Sequence, residues 1–138
     1  MGRGVGGWFG GRRDDRTSLG DWFVSPDVFP NGLAPLIARV HELGMDFGLW
    51  VEPEMVSPDS VLYRAHPDWA LATPGRPVIT ARNQLVLDMT RAEVRDYLFD
   101  AVSAILTEYD IDYIKWDHNR LLPVVDGAQT HGVYTLFD

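Results

Sequence analysis

The sequence predicts an α/β fold whose parallel βα units form roughly half of a TIM (β/α)8 barrel. Strand-like apolar segments alternate with amphipathic helical segments, which is the pattern of βαβ units around a parallel sheet. The strand-like segments end in carboxylates, and barrel enzymes collect catalytic groups from the ends of several strands. An open doubly wound sheet is also compatible with the alternation. Because a full barrel needs about 250 residues and this chain has 138, we interpret residues 1–138 as one partial barrel domain.

The first half of the chain predicts helices on either side of one strand. After a Gly- and Arg-rich start, Asn31 can cap a helix that Gly44 ends, with apolar residues at helical spacing between them. Residues 45–51 (MDFGLWV) are strand-like, and Pro53 should end this strand because proline has no amide donor. A short helix over residues 58–65 and a long loop follow.

The second half predicts two more strands around a long helix. Residues 85–88 (LVLD) form a short apolar strand that ends in a carboxylate. Thr90 and Glu93 have the spacing of a capping box, and apolar residues recur at helical spacing over residues 94–109. Residues 111–116 are the third strand. The chain then continues as a loop, with the start of another helix at its end.

Composition and charge exclude several classes of function. Twelve basic against 20 acidic residues give a net charge of −8, which argues against nucleic acid or an anionic membrane as a partner. The absence of cysteine excludes disulfides, a thiolate metal site and a cysteine nucleophile. No apolar run is long enough to span a bilayer and no signal-peptide pattern opens the chain, so we expect a cytoplasmic location. The four histidines lack the spacing of a metal site, and we predict neither a metal nor a cofactor.

The segment over residues 112–120 (DYIKWDHNR) carries the strongest functional signal. Lys115, Asp117 and Asn119 alternate, so in an extended chain their side chains point the same way. A Lys and an Asp at the C-terminal end of a parallel strand suit a ligand site, and paired carboxylates at a barrel mouth suit glycoside hydrolysis. Asp117 is the candidate nucleophile, and the charge of Lys115 should lower its pKa. A structural ion pair at the strand end remains the alternative.

Other strand ends contribute candidate binding groups. Trp50 could stack on a sugar face or belong to the core. Arg82 precedes a strand, where a guanidinium can donate to hydroxyls or hold a carboxylate. Glu52 and Glu54 could bind hydroxyls or accept hydrogen bonds from neighbouring amides, and the structural role is favoured. The acidic residues of the N-terminal loop are interpreted as a solvated charge cluster: Asp14, Asp15 and Asp21.

Several short motifs follow one another along most of the chain. They are WFG at 8–10, LGDW at 19–22, FPNGL at 29–33, FGLWVEPEM at 47–55, HPDW at 66–69, RNQLVLD at 82–88 and YIKWD at 113–117. Together, from about Trp8 to the C-terminus, they resemble the melibiase-type α-galactosidases of glycoside hydrolase family thirty-six.

The resemblance implies a retaining hydrolase that removes terminal α-linked galactose from oligosaccharides such as melibiose and raffinose. It assigns the nucleophile to Asp117 and contacts with the sugar to Trp50, Arg82 and Lys115. The family's catalytic acid/base is an Asp on a later barrel strand, beyond residue 138. We therefore expect little or no hydrolysis by this chain alone.

The sequence departs from the family pattern near its start. Val5 and Gly6 occupy the positions of a family aspartate pair that binds galactose hydroxyls, and Ala81 replaces a glycine. The family's N-terminal β-sandwich and the second half of its barrel have no counterpart here. A non-catalytic remnant or complementing fragment therefore remains an alternative, as does an α-N-acetylgalactosaminidase or a galactosyl-transferring relative. Unpaired barrel edges should also favour self-association.

Overall fold

The computed structural model describes residues 7–72, 80 and 83–119. Its helices and strands, in chain order, are α1 Ala34–Glu42, β1 Gly48–Val51, β2 Met55–Val56, α2 Val61–Ala65, β3 Leu85–Val86, α3 Ala92–Glu108 and β4 Tyr113–Trp116, with a 3-10 turn over Pro67–Trp69. Several features named from the sequence lie outside the described residues: the Val5 and Gly6 departure, Ala81, Arg82, the loop after Pro123 and the helix start at 133–138. None of the helices in the described part is long and apolar enough to cross a membrane.

A parallel pair of strands, β1 and β4, is the framework on which the candidate site is built. The register places Gly48 beside Tyr113 and Trp50 beside Lys115. The Tyr113 ring lies over Gly48, where an added Cβ would come within 2.2 Å of it, so only glycine fits there. The connection between the two strands contains α3, and the predicted α/β class is confirmed. Within the described residues the parallel sheet has these two strands, fewer than half a barrel supplies.

The predicted strand at residues 85–88 exists but belongs to a different sheet. β3 pairs antiparallel with β2, which starts directly after the Pro53 turn. Both strands are two residues long and buried. Their apolar side chains are therefore removed from water although the strands do not join the parallel sheet. Asp88 therefore does not extend the row of carboxylates at the ends of β1 and β4. Its Oδ1 instead accepts a hydrogen bond from the backbone N–H of Thr90 at 3.1 Å.

The helix ends differ in part from the predicted caps. Gly44 has a φ of +71° and follows α1, as predicted. The residue before α1 makes no side-chain cap bond, so the predicted Asn31 cap is not formed. The capping box is also absent, because the N-cap of α3 is Arg91, which makes no side-chain cap bond. The backbone N–H of Thr90, from which Glu93 would accept in a capping box, donates to Asp88 instead.

The core packs against β1 and includes one face of α3. Leu49 and Val51 of β1 are buried, and α3 buries Val94, Leu98 and Ile105, as its apolar spacing predicted. β4 is less covered than a buried strand, since Tyr113 and Trp116 are more than half exposed. The C-terminal ends of β1 and β4 therefore stand at the margin of the core, where polar groups remain accessible.

Candidate active site

The parallel register brings three of the four predicted site residues together. Trp50 and Lys115 are register partners on neighbouring strands, so their side chains lie on the same face of the sheet. Asp117 follows two residues after Lys115, and its backbone N–H donates to Val51 O at 2.8 Å, which continues the ladder past the end of β4. The fourth predicted residue, Arg82, lies outside the described residues.

Hydrogen bonds orient the carboxylate of Asp117. Trp50 Nε1 donates to Oδ2 at 2.8 Å, and the backbone N–H of His118 donates to Oδ1 at 3.1 Å. The Trp50 bond is the main cause that lowers the pKa of Asp117, followed by a bond from the Asn119 side chain. The charge of Lys115 lowers this pKa in the predicted direction, but by less than the hydrogen bonds do. Asp117 is therefore ionised at neutral pH, the state that a carboxylate nucleophile requires.

Trp50 is held by aromatic residues of the N-terminal loop. Its ring stacks on Phe9 with centroids 6.3 Å apart, and it meets Trp22 edge-on at 6.4 Å. Trp8 Nε1 donates to Trp50 O at 2.8 Å. The Arg12 guanidinium lies over both the Phe9 and Trp50 rings, at 5.1 and 6.0 Å from their centroids. Trp50 therefore packs against the core, which is one of its two predicted roles, and it also donates to Asp117. Its stacking on a sugar face stays a prediction.

The two glutamates after β1 accept hydrogen bonds from the segment that carries Asp117. Glu52 is buried, and its Oε1 accepts from the backbone N–H of Asn119 at 2.8 Å. Glu54 accepts from Trp116 Nε1 at 3.1 Å and lies 2.8 Å from His118 Nδ1. The favoured structural role of Glu52 as an acceptor for a neighbouring amide is confirmed.

Asp21 corrects the interpretation of the N-terminal acidic residues as a solvated cluster. It is 3% exposed, and its carboxylate accepts from the backbone N–H groups of Val61 and Leu62 at 2.9 and 3.0 Å, at the start of α2. Its charge also adds to burial, the larger cause, in raising the pKa of Tyr97 to about 12. Asp21 is a structural residue because its oxygens serve helix amides, a contact that sequence spacing does not reveal.

Two further features lie apart from the candidate site. In the described part of the chain, no group of three or more His, Cys, Asp or Glu side chains could hold a metal ion. A cavity of about 550 Å³ lies between the segment after Trp22 and α3, and its lining includes Phe29 and Tyr97 but neither Lys115 nor Asp117. The candidate chemistry therefore belongs to the ends of β1 and β4.

Comparison with known protein families assigns the chain to one family. The family model described as Melibiase matches residues 5–133. The chain belongs to the melibiase family. The matched range includes β1, β4 and the segment that carries Asp117.

Curated members of the melibiase family are similar over most of this chain. The α-galactosidase AgaA of Geobacillus stearothermophilus is 59% identical over 114 residues, which are 83% of this chain and 16% of AgaA. The bifunctional α-galactosidase/sucrose kinase AgaSK of Mediterraneibacter gnavus is 56% identical over 94% of this chain and 14% of its own length. An α-galactosidase of Escherichia coli is 48% identical over 96% of this chain and 20% of its own length. The chain therefore spans about a fifth or less of the length of these relatives.

Solved structures of the melibiase family share the fold of the chain. The galactosidase domain of AgaSK matches with a TM-score of 0.84 and 51% identity, over 94% of this chain and 19% of that one. The crystal structure of AgaA from Geobacillus stearothermophilus matches with a TM-score of 0.80 and 57% identity, over 85% of this chain and 16% of that one. At this identity the arrangement of β1, β4 and α3 is a shared family feature.

Proposed function

We propose that this chain is the part of an α-galactosidase that carries the catalytic nucleophile, Asp117. The observation that carries the proposal is the hydrogen bond from Trp50 Nε1 to Asp117 Oδ2, made at the C-terminal end of a parallel strand pair. Residues 1–138 then belong to a single (β/α)8 barrel domain, in which β1 and β4 are two of the strands. Catalytic groups of such barrels lie at the C-terminal ends of the strands, where Asp117 is found.

The proposed reaction is hydrolysis with retention of anomeric configuration. Asp117 attacks the anomeric carbon of a terminal α-linked galactose, and the bond to the leaving oxygen breaks as a β-galactosyl ester of Asp117 forms. Water then hydrolyses this ester. An acid/base carboxylate first protonates the leaving oxygen and later activates the water, and we assign that group to a part of the enzyme outside these 138 residues. The chain alone should therefore hydrolyse α-galactosides little or not at all, since losing an acid/base costs about 10²–10⁴ in rate.

The proposed contacts with the sugar come from the face that carries Asp117. Lys115 is exposed beside Trp50 and can donate to hydroxyls of the galactose ring. Arg82 is proposed as a further donor. Oligosaccharides with a terminal α-galactose are the proposed substrate class, which is supported by structures of AgaA variants in complex with raffinose and with stachyose.

Labelling with a slow substrate tests the nucleophile without requiring the acid/base. A 2-deoxy-2-fluoro-α-galactosyl fluoride loses fluoride without protonation, so it can esterify the nucleophile directly. We expect the 138-residue chain to gain one fluorogalactosyl group, mapped to Asp117 by peptide mass spectrometry. Asp117→Asn should abolish the label, whereas Asp14→Asn, a surface control, should keep it. Labelling of another carboxylate, with Asp117 unmodified, would contradict the proposal.

We also propose that the outer edge of β4 pairs with another strand. Within the described residues, β4 is hydrogen-bonded to β1 on one side, and exposed strand edges recruit further strands. In the whole enzyme this partner is the next strand of the barrel. In the isolated chain a second copy can take its place.

A further inference from the structure

The Glu52–Pro53–Glu54 turn contacts the segment around Asp117 at three points. Glu52 Oε1 accepts from Asn119 N at 2.8 Å, two residues after Asp117. Glu54 Oε1 accepts from Trp116 Nε1 at 3.1 Å, and Glu54 Oε2 pairs with His118 Nδ1 at 2.8 Å. The turn therefore binds the residues on both sides of the proposed nucleophile, although neither glutamate hydrogen-bonds to Asp117 itself.

We propose that Glu52 and Glu54 are positioning residues that fix the backbone of residues 116–119 and thereby aim the Asp117 carboxylate. The proposal rests on the nucleophile role proposed above for Asp117. Neither glutamate is assigned a contact with the sugar or the reacting atoms. Both act through the segment that carries the nucleophile.

The backbone contacts explain why this segment needs positioning. Asp117 N donates to Val51 O at 2.8 Å, which is the last ladder contact with β1. Beyond it the chain leaves the sheet, and the Glu52–Asn119 bond replaces the missing ladder contact on the far side of Asp117. Asp117 is thus held from both sides along the backbone, while Trp50 fixes its side chain.

Burial distinguishes these carboxylates from surface acids. Glu52 is 2% exposed as a residue, and the Glu54 side chain is 13% exposed. Charge-assisted hydrogen bonds in such surroundings are stronger and more directional than those at the surface. Directionality matters because a misplacement of about 1 Å at a reacting group can cost about 10² in rate.

The experiment follows the Trp50–Asp117 contact directly in the 138-residue chain. The indole N–H proton of Trp50, assigned by its loss in Trp50→Phe, reports the bond, and the side-chain carboxyl carbon of Asp117 reports the pKa. In Glu52→Ala and Glu54→Ala we expect the Trp50 N–H resonance to move upfield and the Asp117 pKa to rise toward its ordinary value. Glu52→Gln should restore both signals, because its amide oxygen can still accept from Asn119 N.

Asp112→Ala is the matched control for lost stability. Asp112 Oδ2 accepts from Phe47 N at 2.7 Å, at the opposite end of the same strand pair. This variant should weaken the pair without moving the Trp50 or Asp117 signals. A general loss of structure would instead move the signals in Asp112→Ala as well, and that result would overturn the positioning role.

Folded glutamate variants with unchanged Trp50 and Asp117 signals would also overturn it. If Glu52→Ala does not fold, the same measurements are made on Glu52→Asp. This variant keeps the carboxylate but has a shorter side chain, so it reaches Asn119 N less well. Glu54→Ala, at the more accessible position, gives an independent result. The nucleophile role is separate, since it fails only if the fluorosugar does not label Asp117 in the unmodified chain.

Discussion

Trp50 Nε1 lies 2.8 Å from Asp117 Oδ2 and donates a hydrogen bond to it. The two residues are 67 positions apart in sequence. The bond connects the carboxylate to an aromatic group that includes Phe9 and Trp22, because the Trp50 ring packs against both. The conformation of the proposed nucleophile therefore depends on the N-terminal loop as well as on its own strand.

Replacing Trp50 by Phe should raise the pKa of Asp117 toward its ordinary value of 3.8. Phe keeps an aromatic ring for packing but removes the N–H that is the main cause of the lowered pKa. Carboxyl-carbon NMR titration measures the change. Trp69→Phe, which alters a ring stacked on His66, should leave the Asp117 titration unchanged. In the whole enzyme we expect Trp50→Phe to lower kcat by about 10²-fold, the scale for a misaligned reacting group.

Replacing Lys115 by Met should separate substrate binding from ionisation of Asp117. The charge of Lys115 lowers the Asp117 pKa by less than the Trp50 bond does, so the titration should move less than in Trp50→Phe. Lys115 is exposed, and its loss should change the free energy of unfolding by no more than about 0.5 kcal/mol. Galactose affinity of the whole enzyme should fall instead. A larger pKa change in Lys115→Met than in Trp50→Phe would contradict this ranking.

The sequence alone was sufficient to predict the strands and the helix that position the candidate site. β1, β4 and α3 follow from apolar spacing over several residues, and the polar ends of β1 and β4 follow from the alternation around Lys115 and Asp117. The Trp50–Asp117 bond itself depends on the register of the two strands, which neither segment specifies alone. The motif order nevertheless named both residues, because the family resemblance carries information about contacts distant in sequence.

Other features depend on contacts between segments that are distant in sequence or on the exact start of a helix, which local sequence patterns do not reveal. A strand of two buried residues, such as β3, gives no direction of pairing, so its antiparallel partner β2 could not be predicted. Thr90 has the spacing of a capping residue, but α3 begins at Ala92 with Arg91 as its N-cap, and the Thr90 backbone N–H donates to Asp88. Asp21 looked like part of a charged loop, because its partners Val61 and Leu62 are about 40 residues away.

Replacing Asp21 by Ala should destabilise the fold more than a surface change does. The backbone N–H groups of Val61 and Leu62, of which the first is partly buried and the second buried, would lose their acceptor. Leaving a buried group unpaired costs about 1–3 kcal/mol. Urea unfolding should show a loss of that size in the free energy of unfolding. Asp14→Ala, in an exposed part of the same loop, should remain within about 0.5 kcal/mol of the unmodified chain.

The proposed open edge of β4 predicts association that depends on concentration. Light scattering of the 138-residue chain should show a mass that rises with concentration. Hydrogen exchange of the Ile114 and Trp116 amides, which face away from β1, should slow as the mass rises, because pairing protects edge amides. Amides of α3 serve as the internal control, since helix hydrogen bonds are satisfied within the helix. A monomer with exchange independent of concentration would contradict pairing at this edge.

The ion pair between His41 and Asp112 predicts a pH window of added stability. His41 Nε2 lies 2.7 Å from Asp112 Oδ2, and this bond is the main cause that raises the His41 pKa above 6.5, with the charges of Asp112, Asp110 and Asp46 adding to it. The pKa of Asp112 is lowered below 3.8, first by the Phe47 N–H and then by His41. A group whose pKa is raised on folding, such as His41, contributes its full stabilisation below its unfolded-state pKa. That contribution is lost as the pH rises through its folded-state pKa. A group whose pKa is lowered on folding, such as Asp112, contributes its full stabilisation above its unfolded-state pKa. That contribution is lost as the pH falls through its folded-state pKa.

The pair should therefore contribute most between about pH 4 and 6.5, the ordinary pKa values of the two groups. His41→Asn should lower Tm within this window, and the loss should become smaller as the pH rises through the folded pKa of His41 and the ring loses its charge. Both groups are substantially solvent-accessible, so salt should also reduce the difference. Thermal unfolding of both proteins at pH 5.5 and 8.5 measures the effect, and Arg39→Gln, which breaks an exposed pair on the same helix, is the control. An equal loss of Tm at both pH values would mean that His41 contributes through packing, because a packing contact does not titrate.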